Sequence, residues 1–145
     1  MTLVERFDAY AADFERTFVD DDWGRLEPYF TDDAVYATPA NGVRVSGRTD
    51  VLAVLRAAVS GFDRRCDTRS LASTEGPRQE GAAEVFRRWV AKFSVRGAPG
   101  LEIEGTERAR YRGDRIEQLE VTLSREMLAR LLAYAAAHVR RDGGA

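Results

Sequence analysis

The stretch LEIEGTERARY, residues 101–111, shows the alternation that decides the fold. Apolar or small side chains stand at nearly every second position, and charged or polar side chains stand between them. This period of two is typical of a β-strand with one face buried and the other in water. The exception is Glu107, which shares the predicted buried face with Ile103 and Ala109.

Strand-like segments lie on both sides of this stretch. Residues 65–75 and 83–95 carry two further strand patterns, and residues 96–100, with two glycines and a proline, predict a hairpin turn before the central strand. Gly113 lies in a second turn, which leads into a last strand over residues 115–123. The second half of the chain is therefore predicted to be a meander of antiparallel strands.

Helical periodicity dominates the first half. Apolar residues recur three or four positions apart over residues 3–18 and 49–62, which predicts two amphipathic helices. A short helix is predicted after the N-cap candidates Asp20-Asp21-Asp22. Residues 34–38 form a short strand pattern, and a loop is expected after it.

A final helix is predicted after Ser124, a residue type favoured at the N-cap, and it ends in Arg140, Arg141 and glycines. Helices and strands are thus segregated along the chain, which indicates an α+β fold. Because 145 residues is the length of a typical domain, we expect a single domain over residues 1–145.

The charge balance argues against a nucleic-acid partner. The 24 acidic and 22 basic residues are spread along the chain, without a run of like charge that could hold a phosphate backbone. No membrane partner is expected, since there is neither a run of 18 apolar residues nor a signal-peptide pattern. Cys66, the only cysteine, cannot form an internal disulfide, which predicts a cytoplasmic protein. Lys92 is the only lysine, and this arginine bias suggests a bacterial, GC-rich genome.

Metal and cofactor sites are not expected. His138 and Cys66 are the only histidine and cysteine, too few for the usual zinc site. The aspartates at 20–22 and 32–33 are typical of helix-end charges. A phosphate loop, a dinucleotide fingerprint and a Ser-His-Asp set are all absent from the sequence.

Several local strings carry a family resemblance. They are Asp22–Leu26, Tyr29–Tyr36, Ser46–Arg48, Gly105–Glu107 and Arg112–Ile116. In these strings and in the order of its elements the sequence resembles the SnoaL-like branch of the nuclear transport factor 2-like superfamily. The resemblance implies a cone-shaped, curved antiparallel or mixed sheet. Three N-terminal helices would enclose a mostly apolar pocket with this sheet, and a C-terminal helix would follow. Members include steroid isomerases, polyketide cyclases, epoxide hydrolases and transport factors, so the pocket residues must indicate the function.

Two enzyme mechanisms implied by the resemblance lack their residues. Where ketosteroid isomerases carry a general-base aspartate before a proline, this chain has Thr38, and Phe14 stands where they carry a tyrosine. Of the limonene epoxide hydrolase set only Arg87 matches, because Trp89 and Val121 stand at the aspartate positions. A polyketide cyclase needs an acid or base and a large apolar pocket; Glu107 could serve as that acid or base, so this alternative stays open.

Glu107 is the leading site candidate, because a lone carboxylate on an apolar face must be satisfied. The partner is expected to be Arg69 or Arg87, and the hairpin is expected to bring Trp89 nearly opposite Glu107. One alternative is an unpaired Glu107 acting as acid or base in a cavity of about 300 Å³ or more. Another has Arg69 or Arg87 binding a ligand carboxylate. The predicted aromatic lining, which could equally be plain core, comprises Phe14, Tyr36, Phe62, Trp89, Phe93 and Tyr111.

The leading hypothesis is a pocket protein that binds a small, largely apolar molecule. Cofactor-free acid/base chemistry of isomerase, cyclase or hydrolase type would be centred on Glu107. The alternative is a non-catalytic module in which the outer sheet face and the final helix contact another protein. A homodimer is expected in either case, since Phe86 and Val90 share that outer face with charged residues.

Overall fold

The computed structural model describes residues 1–139, so the predicted helix end at Arg140 and Arg141 lies outside it. Within this range the helices are α1 (Leu3–Asp20), α2 (Arg48–Gly61) and α3 (Arg125–His138), with 3₁₀ helices at Trp23–Tyr29, Pro39–Asn41 and Asp63–Arg65. The strands are β1 (Phe30–Thr38), β2 (Val43–Ser46), β3 (Thr68–Glu80), β4 (Glu84–Ser94), β5 (Leu101–Arg112) and β6 (Arg115–Thr122).

The strands of the described range form one open sheet in the order β2-β1-β6-β5-β4-β3. Strands β1 and β6 run parallel, and the other neighbouring pairs run antiparallel. Shifts of register interrupt the pairing of β3 with β4, of β1 with β6 and of β5 with β6. Such bulges bend strands and increase their twist. The resulting curved, mixed sheet confirms the predicted α+β fold.

Two segments of the first half differ from the prediction. Val43–Ser46 is a strand, where the sequence predicted a loop. The chain turns at Gly42, whose φ of 73° lies in the left-handed region, and then pairs with β1. Four residues with two valines are too short a run for the period to separate a strand from a loop. The predicted short helix is a 3₁₀ helix containing Pro28, and Asp22 at its N-cap makes no side-chain capping bond.

The register of the β4–β5 hairpin also differs from the prediction. Trp89 pairs with Gly105, and Arg87 is the residue opposite Glu107. The prediction that Trp89 lies nearly opposite Glu107 was therefore wrong by two positions. Pairing begins only at Phe93 with Leu101, so the connection is longer than the turn residues alone suggested. A shift of two residues keeps each side chain on its face, so Arg87 and Glu107 stay on the same side of the sheet.

The helices cover one face of this sheet, which we call the inner face. Helix α1 begins with a capping box between Thr2 and Glu5, and it buries Phe7 and Tyr10. The main core lies between α1, α2, the first 3₁₀ helix and the sheet. Helix α3 packs on a second, smaller core through Tyr134, whose hydroxyl donates to the Pro99 carbonyl at 2.8 Å. The space between these two cores is the candidate site.

Candidate functional site

A cavity of about 620 Å³ lies between the helices and the inner face of the sheet. Helix α1 contributes Tyr10 and Phe14 to its wall, and β4 and β5 contribute Arg87, Trp89 and Glu107. Other parts of the wall are apolar and come from α2, β4, β5 and α3; they include Leu55, Val59, Ala91, Ile103, Leu128 and Leu131. The volume lies within the range of sites for drug-sized molecules.

The structure brings most of the predicted site residues to this one cavity. Those that line it are Phe14, Tyr36, Phe62, Arg69, Arg87, Trp89, Phe93 and Glu107. Tyr111 is not in the lining: it lies in the main core and is 4% exposed. Its buried hydroxyl has no hydrogen-bond partner among the described residues. The pairing of β5 with β6 shifts at this point: Arg110 pairs with Gln118 and Tyr111 with Ile116, so Glu117 of β6 is the extra residue.

Glu107 and Arg87 form an ion pair on the cavity wall. The Arg87 Nε and Nη2 atoms each lie 2.7 Å from the same carboxylate oxygen, Glu107 Oε1. Arg87 also donates to Ser73 at 3.4 Å and lies over the Phe7 ring. The two paired side chains are only 12% and 9% exposed. Glu107 Oε2 accepts no hydrogen bond from the described residues, so one oxygen of a buried carboxylate is left without a protein donor.

Arg69, the other expected partner, pairs elsewhere. Its Nε donates to Asp63 at 2.8 Å, and its Nη1 donates to Glu15. The guanidinium also stacks on the Phe18 ring, 4.5 Å from the ring centre. Burial raises the pKa of Asp63, and the charge of Arg69 opposes this shift. Arg69 therefore crosslinks α1 to the 3₁₀ helix that precedes β3, and among the described residues its ion-pair partners are Asp63 and Glu15, not Glu107.

Two tyrosines and a threonine complete the polar end of the cavity. Tyr10 is 3% exposed, and burial followed by the charge of Glu107 raises its pKa well above the ordinary value. Its hydroxyl makes no hydrogen bond within residues 1–139. Thr38 donates to the Tyr36 hydroxyl at 2.9 Å, and burial raises the pKa of Tyr36. Both phenols are thus neutral hydrogen-bond donors near Glu107.

The sequence analysis missed Tyr10 and the wall residues of α3. Tyr10 belongs to the apolar stripe of α1, and its position between Phe7 and Phe14 was the available signal. Leu128 and Leu131 carry no such signal, because only the packing of α3 onto β5 brings them to the cavity. Periodicity indicates which face of a helix is buried and leaves its contact partner undefined.

The remaining candidates lie away from the polar end. His138 contacts the Tyr134 ring at 4.9 Å. Cys66 is half-buried, and burial raises the pKa of its thiol to about 11. Across residues 1–139, no group of three or more His, Cys, Asp or Glu side chains could hold a metal ion. No helix in the described range is long and apolar enough to cross a membrane. The cytoplasmic location stays a prediction.

Comparison with known proteins identifies the fold. No family model matches the sequence, and no curated protein matches it. A hypothetical protein of Catenulispora acidiphila DSM 44928 with a ketosteroid isomerase-like fold, solved in complex with trimethylamine, is 19% identical, with a TM-score of 0.62 over 88% of this chain and 92% of that one. An NTF2-like protein of unknown function from Burkholderia pseudomallei K96243 is 13% identical, with a TM-score of 0.64 over 90% and 98%. A SnoaL-like polyketide cyclase candidate from Shewanella putrefaciens CN-32 is 10% identical, with a TM-score of 0.63 over 86% and 83%. These likenesses show a shared fold.

Proposed function

We propose that this chain, which has the SnoaL-like, nuclear transport factor 2-like fold, binds a small and largely apolar molecule in the cavity between α1, α3 and the sheet. The observation that carries the proposal is a cavity of about 620 Å³ whose apolar walls end in one polar cluster. In that cluster Glu107 Oε2 and the Tyr10 hydroxyl have no protein partner within the described range, so both are available to a ligand. The neighbour solved in complex with trimethylamine supports small-molecule binding by this fold.

The test fills the cavity from α2. Ala57 and Ala58 are both exposed on α2, but only Ala58 belongs to the cavity lining. We expect Ala58→Trp to weaken the binding of 1-naphthalenemethanol at least about ten-fold, because the indole occupies space that the ligand needs. Ala57→Trp is the matched control and leaves the affinity unchanged. Calorimetry that gives equal affinities for both variants and the wild-type chain would place the ligand outside this cavity.

Acid/base catalysis is the second candidate function. The alternative of an unpaired Glu107 is wrong, because Arg87 binds its Oε1 atom, so this candidate rests on the second oxygen, Oε2, which accepts no hydrogen bond from the described residues. A carboxylate oxygen that faces the ligand can accept a proton from a carbon next to a carbonyl group. The probe is 2-acetonaphthone in D₂O, whose methyl protons exchange when an enolate forms. Proton NMR of the wild-type chain is expected to show faster exchange than buffer, and Glu107→Gln removes the difference. Equal exchange with the wild-type chain and with buffer leaves binding as the function.

A homodimer through the outer sheet face is the proposed assembly, as the mixed surface around Val90 suggests. Phe86 on that face is 8% exposed, because arginine side chains lie over its ring. They are Arg78 at 4.7 Å, Arg108 at 5.0 Å and Arg88 at 5.9 Å. The apolar ring is thus already covered, which favours an interface of moderate polarity. Sedimentation at micromolar concentration tests this proposal, and a species of only 16.2 kDa would refute it.

A further inference from the structure

The ionised groups of the cavity are out of balance. Four carboxyl groups line it, from Asp8, Glu15, Asp63 and Glu107. The cationic side chains in the lining are two arginines. Burial raises the pKa of Asp63, yet with Asp63 neutral the lining still has three carboxylates for two guanidinium groups. Asp8 is exposed and the Glu15 side chain is 44% exposed, so solvent screens part of this excess. The remaining negative charge favours a bound cation over a bound anion.

Both guanidinium groups are already occupied by carboxylates. Arg69 donates to Glu15 and to Asp63. Arg87 directs two nitrogens at Glu107 Oε1, each at 2.7 Å. An anionic ligand would compete with these carboxylates for the guanidinium groups, and displacing Glu107, whose side chain is 9% exposed, would leave a buried carboxylate uncompensated. The sequence-based alternative in which Arg69 or Arg87 binds a ligand carboxylate is therefore disfavoured by the structure.

The cavity wall carries a hydrogen-bond acceptor that has no donor among the described residues. Glu107 is 7% exposed, lines the cavity, and has no donor to its Oε2 atom among the described residues. A protonated amine supplies the charged donor that such an oxygen binds most strongly. The lining also includes the aromatic side chains of Phe14 and Trp89. Aromatic rings of this kind attract cations. The acceptor without a donor and the aromatic side chains favour a cationic ligand, independently of the apolar character of the cavity.

We propose that the ligand of this cavity is a protonated amine on an apolar body, with its ammonium group donating to Glu107 Oε2. This inference rests on the proposed function, since it names the ligand class of the same cavity. Carboxylic acids with the same apolar body are the ligands that the cavity excludes.

The experiment uses three probes with one apolar body. They are 1-naphthylmethylamine, 1-naphthalenemethanol and 1-naphthoate, which are cationic, neutral and anionic at pH 7. Calorimetry of the wild-type chain is expected to give at least about ten-fold tighter binding for the amine than for the alcohol, with naphthoate the weakest. This series needs no variant, so it decides the proposal even if a substitution prevents folding.

Glu107→Gln then assigns the preference to one carboxylate. The amine's advantage over the alcohol is expected to fall below about two-fold, and naphthoate binding is expected to strengthen because Arg87 loses its partner. Glu104→Gln is the matched control, because Glu104 lies on the same strand and is exposed. It removes the same charge from the chain and should leave all three affinities unchanged.

The outcomes separate the two proposals. Binding of none of the three probes refutes the apolar-ligand cavity itself, and the amine inference fails with it. Tight binding of the alcohol or of naphthoate, with no preference for the amine, overturns the amine inference and leaves the cavity's function standing. An amine preference that survives in Glu107→Gln, or that disappears in Glu104→Gln, refutes the assignment to Glu107 Oε2.

Discussion

Replacing Arg87 by methionine tests the ion pair on which the polar end of the cavity depends. The methionine retains much of the apolar stem and removes the charge, so Glu107 is left without a cation. Breaking a buried pair costs about 3–5 kcal/mol. Both side chains are about nine-tenths buried, but the cavity wall admits solvent, so we expect the low end, about 3 kcal/mol. For a chain of this length that corresponds to a fall in Tm of about 6–12 °C.

A double-mutant cycle isolates the pair. Urea unfolding of Arg87→Met, Glu107→Gln and the double variant is followed by far-UV circular dichroism at pH 7. The double variant removes both charges, so it is expected to recover most of the stability that Arg87→Met loses. The control pair is Arg88 with Glu75, also joined across neighbouring strands, at 2.8 Å, but 58% and 45% exposed. Its coupling is expected to stay below about 1 kcal/mol.

The ion pair would be refuted if the stability effects of the two single substitutions were additive in the double variant. If Arg87→Met costs less than about 1 kcal/mol and the double variant equals the sum of the single ones, Arg87 and Glu107 do not hold each other in solution. The amine inference would then lose the argument that Arg87 is occupied. The ion pair would also be refuted if the coupling energy of Arg87 with Glu107 were as small as that of the exposed Arg88–Glu75 pair.

Three further predictions concern packing, pH and helix α3. Gly105→Ala places a Cβ against the Thr122 carbonyl oxygen and 2.6 Å from Trp89 Cζ2, so it is expected to cost at least about 1–3 kcal/mol in urea unfolding and to shift the tryptophan emission; unchanged emission and stability would contradict it. The Asp20 carboxylate pairs with Arg25, which lowers its pKa from 3.8 to about 2. The stabilisation is therefore present above about pH 4 and lost as pH falls through 2, so the stability difference between Asp20→Asn and wild type should disappear over that window in acid unfolding; a difference independent of pH would refute it. Tyr134→Phe removes a 2.8 Å hydrogen bond to the β4–β5 loop and is expected to cost about 1 kcal/mol, measured as a lower Tm; an unchanged Tm would show that this bond does not anchor α3.

The local sequence pattern was enough to predict most of the helices and strands. The alternation over residues 101–111 indicated β5 and the inward direction of Glu107, and the structure shows both. The stripe of α1 and the N-cap Ser124 also indicated helices that the structure contains. These features depend on neighbours in sequence, because the direction of a side chain follows from the period of its own strand or helix.

The chemistry of the site was decided by tertiary structure. The sequence left Arg69 and Arg87 as equal partners for Glu107, and only the register of β4 with β5 brings Arg87 opposite it. That register depends on the length of the hairpin connection and on packing against the helices, neither of which the strand patterns specify. The sequence alone therefore determined that a carboxylate points into the fold. Long-range pairing determined that one of its oxygens is bound to an arginine, while the other accepts no hydrogen bond from the described residues.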